Sequence, residues 1–253
     1  MKNNLIAFLA LFVGLTCLRV SGQDLTIREQ KMPFGDESYA AFVVNIQNLD
    51  EAQKSVENYA KTKLGLKLRK DSKSSIVAEK VSLSGIIPNK RGDLLIFFTD
   101  QNQMALAFRM GYDYILNSTE YPAEMHRFML MVNDILLNYY KDNFTAKITE
   151  LESRAKDFQK EIDKNNRESE GLSKTIEKNR KKIGKEEDAA KQVGIENENL
   201  AAENRIKALS DINRNLEGEI AKLNAEINTI RTQMTDLERR AAENVPPPPP
   251  SPR

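Results

Sequence analysis

The apolar residues between positions 144 and 241 recur at alternating gaps of four and three. This spacing places one narrow apolar stripe along an α-helix, and such a stripe needs a second helix to cover it. We therefore predict a coiled coil over residues 143–243. The predicted association seam consists of these residues: Ile148, Leu151, Phe158, Ile162, Leu172, Ile176, Leu216, Ile220, Leu223, Ile227, Ile230, Met234 and Leu237.

The seam is not uniform along its length. Counted from Ile148, its first half holds Asn165 and Asn179 at core positions, and position a then moves from residue 197 to residue 206 instead of advancing by one heptad. Because an unbroken heptad seam cannot carry such a phase shift, we expect a register break near residues 184–205. Two arrangements fit this pattern. One is an antiparallel helical hairpin that bends there, and the other is a long helix that forms a parallel oligomer.

The residues before the coiled coil predict a small mixed head domain over 24–142. An edge strand is predicted at 25–30, interrupted by Pro33, and a near-continuous apolar run at 39–46 predicts a central strand. Asn48, with Glu51 three residues later, then predicts a capped helix.

Two further apolar runs, at 94–98 and 104–110, predict a β-hairpin. From Pro122 a wide apolar face predicts a helix that covers the sheet and continues into the coiled coil. The predicted fold class is α+β. It comprises a split βαβ-like sheet with two helices, followed by a long coiled-coil helix or an antiparallel helical hairpin.

The segment Leu-Ala-Phe-Arg-Met-Gly at 106–111, with Leu-Asn-Ser at 116–118 and Pro122 entering a helix, resembles a group of uncharacterised secreted proteins of Bacteroidota-type bacteria. The similarity extends to the layout of a signal peptide, a small α/β head and a C-terminal coiled coil. Members of that group tend to carry an acidic residue and a Gly-Gly pair where this chain has Arg109, Gly111 and Tyr112. The group has no established activity, so the resemblance implies a layout and export but no reaction.

Both ends of the chain have distinctive compositions. The apolar run at 5–17, followed by Val-Ser-Gly at 20–22, predicts a signal peptide over residues 1–22. Its removal would take away Cys17, the only cysteine, and would exclude disulfides and thiolate chemistry. We expect an exported protein of a Gram-negative bacterium, located in the periplasm, at the cell surface or outside the cell, with no transmembrane span after cleavage. The proline-rich residues 245–253 predict a disordered tail.

The net charge and the sequence motifs give little support for catalysis, metal binding or nucleic-acid binding. The formal net charge of the whole chain is +1, which gives no general attraction to nucleic acid. The basic run at 178–182 is interpreted as a solvated helical face. His126 is the only histidine, and no phosphate-binding loop, zinc motif or catalytic elbow occurs in the sequence. We therefore expect no catalytic residue, cofactor or metal.

The expected function is that of an exported, non-enzymatic envelope protein. Its coiled coil would associate with another copy of itself or fold as an intramolecular hairpin, and its small head would bind a partner, which could be another envelope protein. Two alternatives remain open. One is a periplasmic chaperone or adaptor that uses helical arms, and the other is an enzyme with an unrecognised carboxylate site in the head.

Overall fold

The computed structural model describes residues 23–34, 37–111, 114–243, 245 and 247–249. The predicted signal peptide lies outside these residues. The chain divides into two compact units: one includes the sheet and extends to Leu136, and the other is Leu137–Glu243. We call them the head and the arm. The predicted α+β fold class is confirmed, because a six-stranded antiparallel sheet with a helix is followed by two long helices that pack against each other.

The head contains a single sheet in which every pair of neighbouring strands is antiparallel. The strand order is β1-β2-β6-β5-β4-β3. The strands are β1 (Arg28–Phe34), β2 (Glu37–Asn45), β3 (Arg69–Lys70), β4 (Ser75–Val81), β5 (Gly92–Thr99) and β6 (Gln103–Arg109). The predicted central strand at 39–46 corresponds to β2, and the predicted hairpin corresponds to β5 and β6. β1 begins later than predicted and includes Pro33, which an edge strand tolerates because its outer N–H positions need no partner.

Helix α1 (Leu49–Thr62) connects β2 to β3, two strands that run in the same direction with three others between them. β2, α1 and β3 therefore form the predicted split βαβ arrangement, in which other strands separate the two parallel strands. The Asn48 side chain accepts a hydrogen bond of 3.2 Å from the Glu51 N–H, as the capping pattern predicts. Gly65 has a φ of +66°, so it supplies the left-handed residue that follows the helix.

The inner strands β2, β6, β5 and β4 are mostly buried on both faces of the sheet, whereas the edge strands β1 and β3 are largely exposed. Successive residues of each strand alternate between the two faces. On one face the ring of Phe128, from the helix that begins at Pro122, lies 5.7 Å from Phe42 and 6.5 Å from Phe108. On the other face a cluster that includes Tyr39 and Leu95 is packed by partly buried hydrophobic side chains. These are Met32, Phe34 and Ile115.

The arm is an antiparallel hairpin made from the rest of α2 (Pro122–Ile183) and from α3 (Ala189–Glu243). The reversal lies at residues 184–188. There the Asp188 carboxylate accepts hydrogen bonds from the backbone N–H groups of Ala190, at 2.9 Å, and Lys191, at 3.4 Å, and so caps the start of α3. Of the two arrangements open from the sequence, the structure has the hairpin.

The change of heptad phase coincides with this bend. The heptad count that starts at Ile148, continued past residue 183, predicts residues 193 and 200 as seam positions, and this prediction is wrong. Val193 is 55% exposed and Leu200 is 57% exposed, whereas Asn199 is only 9% exposed. The physical reason is that α3 runs antiparallel to α2. The residues of α3 that face α2 therefore follow a heptad count that begins within α3 and does not continue the count of α2. α3 itself continues as a helix through residues 197–206.

Candidate functional site

Side chains from the two arm helices pair in a steadily converging order. The sequence separation of the partners falls from 97 for Lys141 with Glu238 to 79 for Arg231 with Glu152. It falls further to 37 for Arg205 with Glu168. The partners are nearer to each other in sequence at each step toward the bend. The two helices are therefore paired antiparallel along their length.

None of the thirteen predicted seam residues is exposed. Leu151, from α2, packs in one cluster with Leu223, Ile227 and Ile230 from α3. The buried members of the seam are Leu151, Ile162, Ile176, Leu223, Ile227, Ile230 and Leu237. The half-buried members are Ile148, Phe158, Leu172, Leu216, Ile220 and Met234.

Two asparagine layers interrupt the apolar seam. In the first, the Asn165 amide donates to Asn213 Oδ1 at 2.8 Å, and the Asn213 amide donates to Asn166 Oδ1 at 2.8 Å. Each interaction uses a specific donor and acceptor, so sliding one helix past the other would leave buried amide groups unpaired. This layer therefore fixes the register of the hairpin.

The second asparagine layer lies nearer the bend. Asn179 donates to Glu198 Oε2 at 3.4 Å, and both Asn179 and Asn199 are buried. Asn199 Oδ1 has no hydrogen-bond partner among the described residues. The second layer is consequently less completely satisfied than the first.

Ion pairs bridge the outer edges of the seam and remain exposed to solvent. The hydrogen bond from Arg205 at 2.7 Å holds the pKa of Glu168 below its ordinary value. Exposed pairs of this kind contribute little to stability because water and salt screen them. The seam, and not its charged margin, therefore holds the hairpin closed.

The head contains a groove of about 510 Å³. Tyr59 and Lys63 line one side, the turn at 82–86 lines another, and residues of α2 that include Leu130 and Asp134 complete it. Burial, with the nearby charge of Asp134, raises the pKa of Tyr59 to about 12, so this hydroxyl keeps its proton at neutral pH. The groove combines apolar side chains with a phenol donor, two cations, Lys63 and Arg127, and one carboxylate, Asp134.

A polar network joins three strands at one end of the sheet, and the sequence did not predict it. Arg109 donates to Asp93 Oδ2 at 2.7 Å from one terminal nitrogen and to the Tyr39 hydroxyl at 3.2 Å from the other. Desolvation alone would raise the pKa of Asp93. The hydrogen bond from the Lys80 backbone N–H and the Arg109 guanidinium outweigh it, so the pKa is lowered. The donors of Arg109 are committed to these neighbours, so the network ties strands together.

His126 lies half-buried on α2. The described part of the chain contains no cluster of three or more His, Cys, Asp or Glu side chains arranged to bind a metal ion. Within the same part of the chain, no helix combines the length and the apolar character needed to cross a membrane.

Comparisons of the chain with protein-family models, with curated proteins and with solved structures found no match.

Proposed function

We propose that this chain is an exported, non-enzymatic binding protein of the cell envelope, in which the coiled coil associates within its own chain and the head binds a partner. The observation that carries the proposal is the burial of the seam. Every one of its thirteen residues is buried or half-buried inside a single chain. A seam that is already covered in this way leaves little apolar surface for a parallel oligomer.

Two features weigh against the alternative functions. A chaperone that grips clients between its arms needs an open apolar inner face, whereas Leu151 packs here against Leu223 and Ile227. An enzyme with paired catalytic carboxylates needs two acids in one pocket, whereas the head groove is lined by Asp134 alone among acidic residues. The proposal therefore assigns binding to the head and a structural role to the seam.

A cysteine cross-link across the arm tests the hairpin. Asn165→Cys with Asn213→Cys, in a Cys17→Ser background, places thiols where the two amide side chains now meet at 2.8 Å. Mild oxidation should give a disulfide within one chain, detected as a faster-migrating monomer on a non-reducing gel.

Arg167→Cys with Asp211→Cys is the matched control, because both side chains are exposed on the outer faces of the two helices. This pair should not cross-link within the chain. Covalent dimers from the inner pair at low protein concentration would contradict the closed hairpin and would favour association between chains.

Export and head binding need separate measurements. We expect the N-terminal sequence of the protein recovered from the envelope fraction to begin at Gln23; an intact N-terminus on cytosolic protein would overturn export.

We also expect the immobilised mature chain to retain an envelope component. Leu130→Glu, in the groove, should abolish retention, whereas Leu68→Glu, in another hollow of the head, should not. Equal retention by both variants would overturn the assignment of binding to this groove.

A further inference from the structure

One outer stripe of α2 is almost entirely basic. Starting at Lys160, the stripe follows the gaps of four and three that keep successive residues on one face of a supercoiled helix, opposite the seam. Seven of its eight positions carry a positive charge. The stripe, which we call the basic stripe, consists of Lys160, Lys164, Arg167, Gly171, Lys174, Lys178 and Lys181 on α2, together with Lys185 in the bend that follows.

All eight residues of the basic stripe are exposed. Lys160 pairs with Asp157 at 2.8 Å, and Lys181 pairs with Glu177 at 2.7 Å. The other five basic residues have no acidic partner within 4.0 Å among the described residues, although the charge of Lys164 contributes to lowering the pKa of the nearby Glu168. From residue 160 to residue 181 the stripe is about 32 Å long, at a rise of about 1.5 Å per residue.

A general need for solubility does not account for this pattern. Solvation of a helix face is served by charges of both signs, interspersed. The other helix of the same arm differs from α2 over its first half. Over residues 190–208 its stripe of the same spacing is exposed and uncharged, and the next position holds the acidic Asp211. The uncharged positions are Ala190, Gly194, Asn197, Ala201, Asn204 and Ala208.

We propose that the basic stripe binds a linear acidic polysaccharide. Positive charges that repeat along one helix face, interrupted only at Gly171, complement a chain that carries repeated negative charges. The stripe is narrow, because Asp163, Glu170 and Glu177 run along one side of it at heptad spacing and are exposed. A thin polyanion can follow the stripe and avoid these acids, whereas a flat anionic membrane would face both columns together.

The composition of the stripe also distinguishes a polysaccharide from a nucleic acid. Single-stranded nucleic acids are held by aromatic side chains on which the bases stack. The stripe contains no aromatic residue, and six of its seven charges are lysines, which act as point charges. The inference concerns the arm alone and stands independently of what the head groove binds.

Binding of the mature chain to polygalacturonate, a uronic acid polymer, tests the inference, with dextran as the uncharged comparison. The stripe variant carries Lys164→Glu, Arg167→Glu, Lys174→Glu and Lys178→Glu, at four positions without an ion pair. The control variant carries Arg154→Glu, Lys156→Glu, Lys207→Glu and Lys222→Glu, which changes the net charge equally at exposed positions off the stripe.

We expect polygalacturonate binding that weakens with added salt, and no dextran binding. The stripe variant should lose affinity by at least about tenfold relative to the control variant, because each basic side chain near a polyanion contributes on the order of a factor of five. Circular dichroism should show equal helix content in both variants, since Lys, Arg and Glu have similar helix propensities.

Three results would overturn the inference. The first is no binding of polygalacturonate by the unmodified chain, and the second is an equal loss of affinity in both variants. The third is tighter binding to phosphatidylglycerol vesicles or to an oligothymidylate strand than to polygalacturonate, which would assign the stripe to a lipid surface or to nucleic acid. None of these results affects the cross-link within the arm, so the two proposals fail separately.

Discussion

The two halves of the arm share one heptad spacing but fill it differently. The apolar half, 148–162 with 216–237, contains Leu151 at 1% exposure and Leu237 at 0%. The polar half, 165–183 with 195–213, contains the two asparagine layers. Apolar contacts are strong but non-directional, whereas an amide pair is satisfied in one alignment only. The apolar half therefore supplies most of the free energy of closure, and the polar half sets the register.

The largest effect should come from the apolar half. Leu151→Ala should lower the free energy of unfolding by about 3 kcal/mol, because it leaves a cavity beside Leu223, Ile227 and Ile230. Urea denaturation of the mature chain, followed by helical circular dichroism, measures this loss. A loss smaller than that from any substitution in the polar half would contradict the division of roles.

A smaller loss should follow from breaking the first asparagine layer on one side. Asn213→Leu leaves the Asn165 amide buried without its acceptor and should cost about 2 kcal/mol. Adding Asn165→Leu should recover most of that loss, because two apolar side chains then face each other. Additive losses in this double-mutant cycle would show that the two amides do not act as a pair.

Leu172→Ala sharpens the comparison, since residues 151 and 172 occupy equivalent positions three heptads apart. Leu172 is only half-buried and lies in the polar half, so its truncation should cost about 1 kcal/mol. The same urea titration measures it. A loss equal to that of Leu151→Ala would mean that the two halves contribute equally to closure.

The smallest effect should come from the charged margin. Glu152→Gln removes the exposed pair with Arg231, whose side chains are 52% and 58% exposed at a separation of 3.1 Å. We expect no measurable change in the urea midpoint, because the attraction between two exposed charges is hardly stronger than their separate interactions with water. A clear loss that disappears in high salt would instead assign a structural role to the margin.

Local patterns in the sequence predicted much of this fold. The run at 39–46, the Asn48 cap and the seam spacing each reflect rules that operate over a few residues, and the structure contains the corresponding β2, α1 and hairpin helices. The asparagines at core positions were also visible in the heptad count, although their partners were not.

Features that depend on distant residues were not predictable in the same way. The reversal at 184–188 lies within the predicted range of 184–205, but the heptad count could not narrow that range because it does not show where the chain turns back. The Arg109 network joins three strands whose alignment is set only by the sheet register. The head groove likewise combines Tyr59, a turn and α2, which are far apart in the chain.

The measurement that tests the closed hairpin most directly is a distance between spin labels at Arg167→Cys and Asp211→Cys, in a Cys17→Ser background diluted with unlabelled protein. Both positions are exposed, so the labels should leave the seam intact. Two helices lying side by side predict a distance of about 20–30 Å, from their combined diameters. One continuous helix would give about 66 Å at a rise of about 1.5 Å per residue, and that result would contradict the hairpin.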